Sequence, residues 1–113
     1  MFEPSHSRLA IDELLEGKNE AIKEILKDTI PGRETAGNTA QKIRVGGTYE
    51  EALEDFDKIG LIGVKDIPGK EMKIGFLPDG KVVNVRLKSD QGSPTLEIYN
   101  PINDQKVKVR YGN

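Results

Sequence analysis

Four short segments in the second half of the chain place basic side chains at alternate positions around one carboxylate. The segments span residues 72–76, 82–88, 95–99 and 106–111. Because successive side chains of a strand point to opposite faces, this spacing predicts one sheet face that is mostly cationic. The residues predicted on that face are Lys73, Asn84, Arg86, Lys88, Thr95, Glu97, Tyr99, Lys106, Lys108 and Arg110. The net charge of the whole chain is only −2, so the bases are segregated, which is typical of a surface that binds a polyanion.

Arg86, Thr95, Glu97 and Arg110 are the members of this face best suited to chemistry on a phosphodiester. Arginine contacts phosphate through two parallel hydrogen bonds, and a carboxylate can take a proton. RNA supplies its own nucleophile, the ribose 2′-hydroxyl, so cleavage needs only a base, an acid and cations around the phosphate. The pattern therefore suits RNA cleavage without a metal or another cofactor.

Few other residues are available for proton transfer. The chain has no cysteine and one histidine, which excludes thiolate catalysis, cysteine-built zinc sites and multi-histidine metal sites. The remaining candidates are Glu97, His6 and the tyrosine and lysine side chains. An ordinary solvated sheet face is the simplest alternative, although such faces usually mix both signs of charge. A non-catalytic module that binds nucleic acid or protein, and a domain that acts on DNA, also stay open.

The elements that position these residues follow from the same alternation. The opposite face of the four predicted strands is apolar and predicts a core of Met72, Ile74, Phe76, Val83, Val85, Leu87, Leu96, Ile98, Val107 and Val109. Asp79-Gly80 is a strong hairpin signal, and the other connections are short. Four strands joined in this way form an antiparallel meander.

Helices are predicted ahead of the strands. Apolar spacing predicts one over residues 8–16 and a second from Asn19 to Ile30, while Thr48 and Glu51 form a capping box that begins a third, ending at Gly60. Residues 33–45 suggest a loop or irregular strand, and residues 61–69 a link. The predicted fold class is α+β, with N-terminal helices packed on a four-stranded antiparallel meander. Residues 1–30 form a helical segment and 31–113 the core of one compact domain.

No apolar run approaches the length of a membrane span, roughly 18 residues, and no signal-type segment follows the N-terminus. The folded domain is therefore not expected to contact a membrane. We expect either a cytosolic chain or a fragment of a larger protein that carries its own export signal.

Five linked runs resemble the C-terminal toxin domains of bacterial polymorphic toxins, which are carried by contact-dependent growth inhibition, YD-repeat and related secreted proteins. They span residues 31–39, 49–57, 77–86, 94–98 and 106–111. The order of elements also resembles the fold of barnase, EndoU, colicin-type tRNases and RelE. Residues 1–30 carry no part of this resemblance.

The resemblance implies a ribonuclease that needs no metal, leaves a 2′,3′-cyclic phosphate and is neutralised by a cognate immunity protein. It implies RNA, with transfer RNA foremost, as substrate, and delivery by an exported protein into the cytoplasm of a target bacterium. The catalytic candidates are Arg86, Thr95, Glu97, Arg110, Tyr111 and His6. The RNA-binding candidates are Arg33, Glu34, Thr35, Lys42, Lys88, Lys106 and Lys108. His6 lies outside the matched runs, so no histidine of the chain matches those that some members use.

Overall fold

A computed structural model describes residues 20–32, 39–87 and 92–112. In this part of the chain, two helices lie on one face of a seven-stranded sheet. Neither helix is long or apolar enough to cross a membrane. The elements are α1 (Glu20–Lys27), α2 (Tyr49–Lys58), β1 (Ile30–Pro31), β2 (Thr39–Arg44), β3 (Ile62–Asp66), β4 (Met72–Phe76), β5 (Val82–Arg86), β6 (Thr95–Asn100) and β7 (Gln105–Tyr111).

The sheet is mixed, in the order β1-β2-β7-β6-β5-β4-β3. Strand β2 runs parallel to β7, and all other neighbours are antiparallel. The predicted fold class, helices packed on a four-stranded antiparallel meander, is therefore wrong. The four predicted strands are the centre of a larger sheet, which is extended by β2 and β1 at one edge and by β3 at the other.

The additional strands lie in segments for which the sequence predicts a helix end (β1), a loop or irregular strand (β2) and a link (β3). The second helix was predicted to reach Ile30, but in the structure it ends at Lys27, and Ile30 belongs to strand β1. Strand β3 contains Gly63 in the left-handed region (φ 63°), at a shift in its pairing with β4. A left-handed glycine of this kind is typical of a β-bulge, and it breaks the alternation by which a strand is recognised. The predicted helix over residues 8–16 lies outside the described residues.

Helix α2 begins as the sequence predicts. Thr48 accepts a hydrogen bond from the Glu51 amide, and the Glu51 carboxylate accepts one from the Thr48 amide. The helix packs on β5 and β6 and buries Ala52 and Phe56. The core between helices and sheet contains most of the residues predicted for it, namely Val83, Val85, Leu96, Ile98, Val107 and Val109.

Strand β4 is turned over relative to the prediction. Met72, Ile74 and Phe76 are aligned with Arg86, Asn84 and Val82 of β5, so they lie on the face turned away from the helices (the far face). Gly75 lies on the face that α1 and α2 cover (the helix face). A Cβ atom built there would be 2.9 Å from Leu61 Cβ and 3.0 Å from Val64 Cγ2. Leu61 and Val64 thus fill the space above β4 that its own apolar residues were expected to fill.

This packing predicts that Gly75→Ala destabilises the fold by about 1–3 kcal/mol, because the added methyl group forces Leu61 or the backbone of β3 to move. Thermal unfolding monitored by circular dichroism measures the change, which should lower the melting temperature by several degrees. An unchanged melting temperature would instead place residue 75 on the far face.

Candidate functional site

The far face brings together the four residues proposed from the sequence to act on a phosphodiester. Arg86 of β5 is aligned with Thr95 of β6, and Thr95 with Arg110 of β7, so these three form one row across three strands. Glu97 lies in the next row, between Asn84 and Lys108. Aligned residues on neighbouring strands point to the same face, so one carboxylate lies beside a row that holds two guanidinium groups.

Arg86 is held by two acceptors. Its Nη1 donates to Asn84 Oδ1 at 2.7 Å and to Glu97 Oε1 at 3.2 Å. The side chains of Arg86 and Glu97 keep 22% and 13% of their exposure, so the ion pair is half-buried and still reachable from solvent. A guanidinium has five N–H donors, and this arrangement occupies one edge while other donors remain for an anion.

Arg110 is more deeply placed and is fixed from two sides. Its Nε donates to Gln41 Oε1 at 2.9 Å, and its Nη1 donates to Thr95 Oγ1 at 3.4 Å. The Thr95 hydroxyl in turn donates to the Ser93 carbonyl oxygen at 3.1 Å. Arg110 is 6% exposed and Thr95 is fully buried. Thr95 therefore positions Arg110, a role that differs from the direct phosphate contact expected from the sequence.

The lysines proposed to bind RNA are divided between the two faces. Lys108 is aligned with Glu97, and Lys106 with Tyr99, which places both on the far face. Lys106 Nζ lies 5.6 Å from the centroid of the Tyr99 ring. Lys42 is aligned with Val109, a core residue, so the structure places it on the helix face and does not bring it to the cationic rows.

Tyr111 also lies on the helix face. Its side chain is 1% exposed, and its hydroxyl donates to Asp55 Oδ2 at 2.7 Å. Burial, together with this hydrogen bond and the Asp55 charge, raises the pKa of Tyr111 far above its usual value. A hydroxyl in this environment stays protonated. The structure thus gives Tyr111 a packing partner on α2 and does not bring it to Arg86 or Glu97.

Five other candidates, His6, Arg33, Glu34, Thr35 and Lys88, lie outside the described residues. Two side chains that the sequence analysis did not propose for the site take part in it. Gln41 was missed because its segment suggests only a loop or irregular strand, and the residues of β2 show no alternation of apolar and polar side chains. Asn84 was assigned to the correct face, but nothing in the sequence showed its bond to Arg86.

The described residues hold no group of three or more histidine, cysteine, aspartate or glutamate side chains placed to bind a metal ion. No family model, no curated protein and no solved structure matches the chain. The function must therefore be inferred from the site itself.

The placement of Tyr111 predicts that Tyr111→Phe lowers the free energy of unfolding by about 1–3 kcal/mol, because the half-buried Asp55 carboxylate loses a hydrogen-bond donor. Chemical denaturation measures the change. Asp57→Asn, at an exposed position of the same helix, is a control for a changed polar group on α2 and should unfold like the unmodified protein. Equal stability of Tyr111→Phe and the unmodified protein would contradict the hydrogen bond.

Proposed function

We propose that this domain is an endoribonuclease that works without a metal ion, takes transfer RNA as its substrate and serves as the toxic tip of an exported bacterial protein. The observation that supports the chemistry best is the row Arg86–Thr95–Arg110 with Glu97 beside it. Neighbouring strands are about 4.8 Å apart, so the two arginines start roughly 10 Å apart. Long side chains across that distance can reach one phosphate from both sides.

The site has a base for the first step of the reaction and cations for the transition state, and water supplies the acid. Glu97 accepts the proton of the ribose 2′-hydroxyl, whose oxygen then attacks the adjacent phosphorus. Arg86 and Arg110 stabilise the extra negative charge that develops on the phosphate oxygens. The bond from phosphorus to the 5′-oxygen breaks, and that oxygen takes a proton from water. The hydroxide that remains takes the proton from Glu97, which restores the carboxylate. The products are a 2′,3′-cyclic phosphate and a free 5′-hydroxyl.

The bond between Arg86 and Glu97 fits this sequence of events. In the resting site Arg86 is held by Glu97 and Asn84. When Glu97 takes up a proton its attraction for Arg86 weakens, just as negative charge grows on the phosphate. Arg86 can then transfer its strongest contact from the carboxylate to the substrate, so that it binds the transition state better than the ground state.

The biological setting rests on the five sequence runs that resemble polymorphic toxin tips. A chain that cleaves RNA in a competitor would endanger the cell that makes it, and the proposed cognate immunity protein answers this by blocking the site. The two alternatives, a non-catalytic binding module and a domain acting on DNA, predict different outcomes in the experiments that follow.

The proposal predicts that purified domain cleaves transfer RNA in the presence of EDTA and leaves 2′,3′-cyclic phosphate ends. Arg86→Ala and Glu97→Gln should each lower the rate by on the order of 10²–10³, and Arg86→Lys should lose less because it keeps the charge. Lys73→Ala is the matched control, since it removes a cation from the helix face of β4 and should keep full activity.

Melting curves of each variant separate lost chemistry from lost folding. Cleavage of a strand that carries 2′-deoxyribose at the cut position would contradict the mechanism and favour DNA as the target. Binding without any cleavage, by a domain that folds normally, would favour the non-catalytic module.

Salt dependence tests which face the RNA contacts. Lys108→Ala should weaken binding and reduce the slope of log Kd against log salt by about one unit, because one phosphate contact and its released counterion are lost. Lys42→Ala is the control, because it removes one positive charge from the helix face of β2, the strand next to β7. The slope of log Kd against log salt for this variant should equal that of the unmodified protein. Fluorescence anisotropy with labelled RNA provides both slopes, and a reversed result would place the RNA on the helix face.

A further inference from the structure

The far face has two chemically distinct parts that the sequence alternation did not separate. Strand β4 contributes only apolar side chains to it, those of Met72, Ile74 and Phe76, all half-buried. Val82 of β5 extends this apolar strip next to Phe76. The polar residues begin immediately beside it with Arg86 and Asn84 on β5, so an apolar strip runs alongside the cationic rows.

A cavity joins the two parts at one end of the strip. It has a volume of about 420 Å³ and is lined by Lys70, Glu71, Met72, Arg86 and Leu87. Small-molecule sites typically have volumes of about 300–1,000 Å³ and combine apolar walls with a few polar groups. Met72 and Leu87 supply apolar walls here, Arg86 and Lys70 supply positive charge, and Glu71 supplies one carboxylate. The cavity therefore suits a ligand that is flat and apolar at one end and anionic at the other.

A nucleotide has this chemistry. Its base is a flat ring with an apolar face, and its phosphate is an anion that arginine binds well. Strands β4 and β5 are about 4.8 Å apart, so a phosphate at Arg86 leaves the attached base within reach of Met72. In a duplex the bases are stacked on one another and their faces are covered. Only an unpaired nucleotide can turn its base onto the strip.

We propose that Met72, Leu87 and the adjoining apolar strip of β4 bind the base of an unpaired nucleotide whose phosphate is held by Arg86. The site then selects single-stranded segments, such as loops, over helical RNA. The inference rests on the proposed binding of RNA phosphate by Arg86. It adds a base-binding subsite with its own residues, which do not take part in the chemical step.

A thermodynamic cycle tests the subsite separately from cleavage. The probes are a short oligouridine whose riboses carry 2′-fluorine, which cannot be cleaved, and a strand with the same backbone that lacks every base. Met72→Ala should weaken binding of the oligouridine by roughly twofold to tenfold, the effect of losing one contact between a methionine side chain and an aromatic ring. It should leave binding of the baseless strand unchanged, because that strand engages only the cationic rows.

Controls identify the side chain responsible. Val64→Ala shortens an apolar side chain on the neighbouring strand β3, on the helix face, and should alter neither affinity. Lys108→Ala should weaken both strands equally. Met72→Gln keeps the length of the side chain but makes it polar, so it provides a second test if Met72→Ala melts at a much lower temperature.

The possible outcomes distinguish the subsite from the ribonuclease. Equal losses on both strands, or no loss on either, would overturn the subsite even if transfer RNA is still cleaved. A loss confined to the oligouridine, in a domain that cleaves no RNA, would support the subsite and overturn the ribonuclease.

Discussion

The alignment of Arg86, Thr95 and Arg110 across three adjacent strands is the constraint on which the proposed chemistry depends. A shift of one residue between two strands would turn a whole set of side chains to the other face. The helix face opposes such a shift, because the row immediately next to the site is Val85, Leu96 and Val109, all fully buried. Burial of these three apolar side chains on the helix face therefore fixes the geometry of the charged row on the opposite face.

The two sides of the sheet also differ in charge, with many carboxylates on the side of the helices and basic rows on the far face. Helix α2 carries five carboxylates, at Glu50, Glu51, Glu54, Asp55 and Asp57. A cavity of about 470 Å³ between the helices is lined by Glu24, Asp28, Glu51, Glu54 and Asp55, with Arg44 and Lys58 as the bases among its described lining residues. A polyanion is repelled from this side and attracted to the far face. The small net charge of the chain thus hides an asymmetry between the two faces, which would turn the far face toward a polyanion such as the proposed RNA substrate.

Period-two alternation predicted β4 to β7, the apolar core of β5 to β7 and the shared face of Arg86, Thr95, Glu97 and Arg110. The alternation did not predict which face of the sheet the apolar residues of β4 occupy. Three alternate residues of β4 are apolar, and this pattern is the same whether they face the helices or the far side. Only the packing of Leu61 and Val64 over Gly75 decides between the two orientations. The alternation did not predict β2 and β3 as regular strands, because the residues of β2 are all half-buried and those of β3 all exposed, so neither strand alternates between a buried and an exposed face. Hydrogen bonds such as Gln41 to Arg110 depend on that missed pairing.

The parallel pairing of β2 with β7 affects the stage of folding at which the site forms. Gln41 and Arg110 are 69 residues apart in the chain, whereas the hairpins from β4 to β7 join near neighbours. Loop-closure entropy makes such a distant contact slower to form than a local one. The meander can assemble first, with β2 docking onto its last strand afterwards. In that order of assembly Arg110 makes its hydrogen bond to Gln41 last, so the charged row on the far face is fixed only at the end of folding.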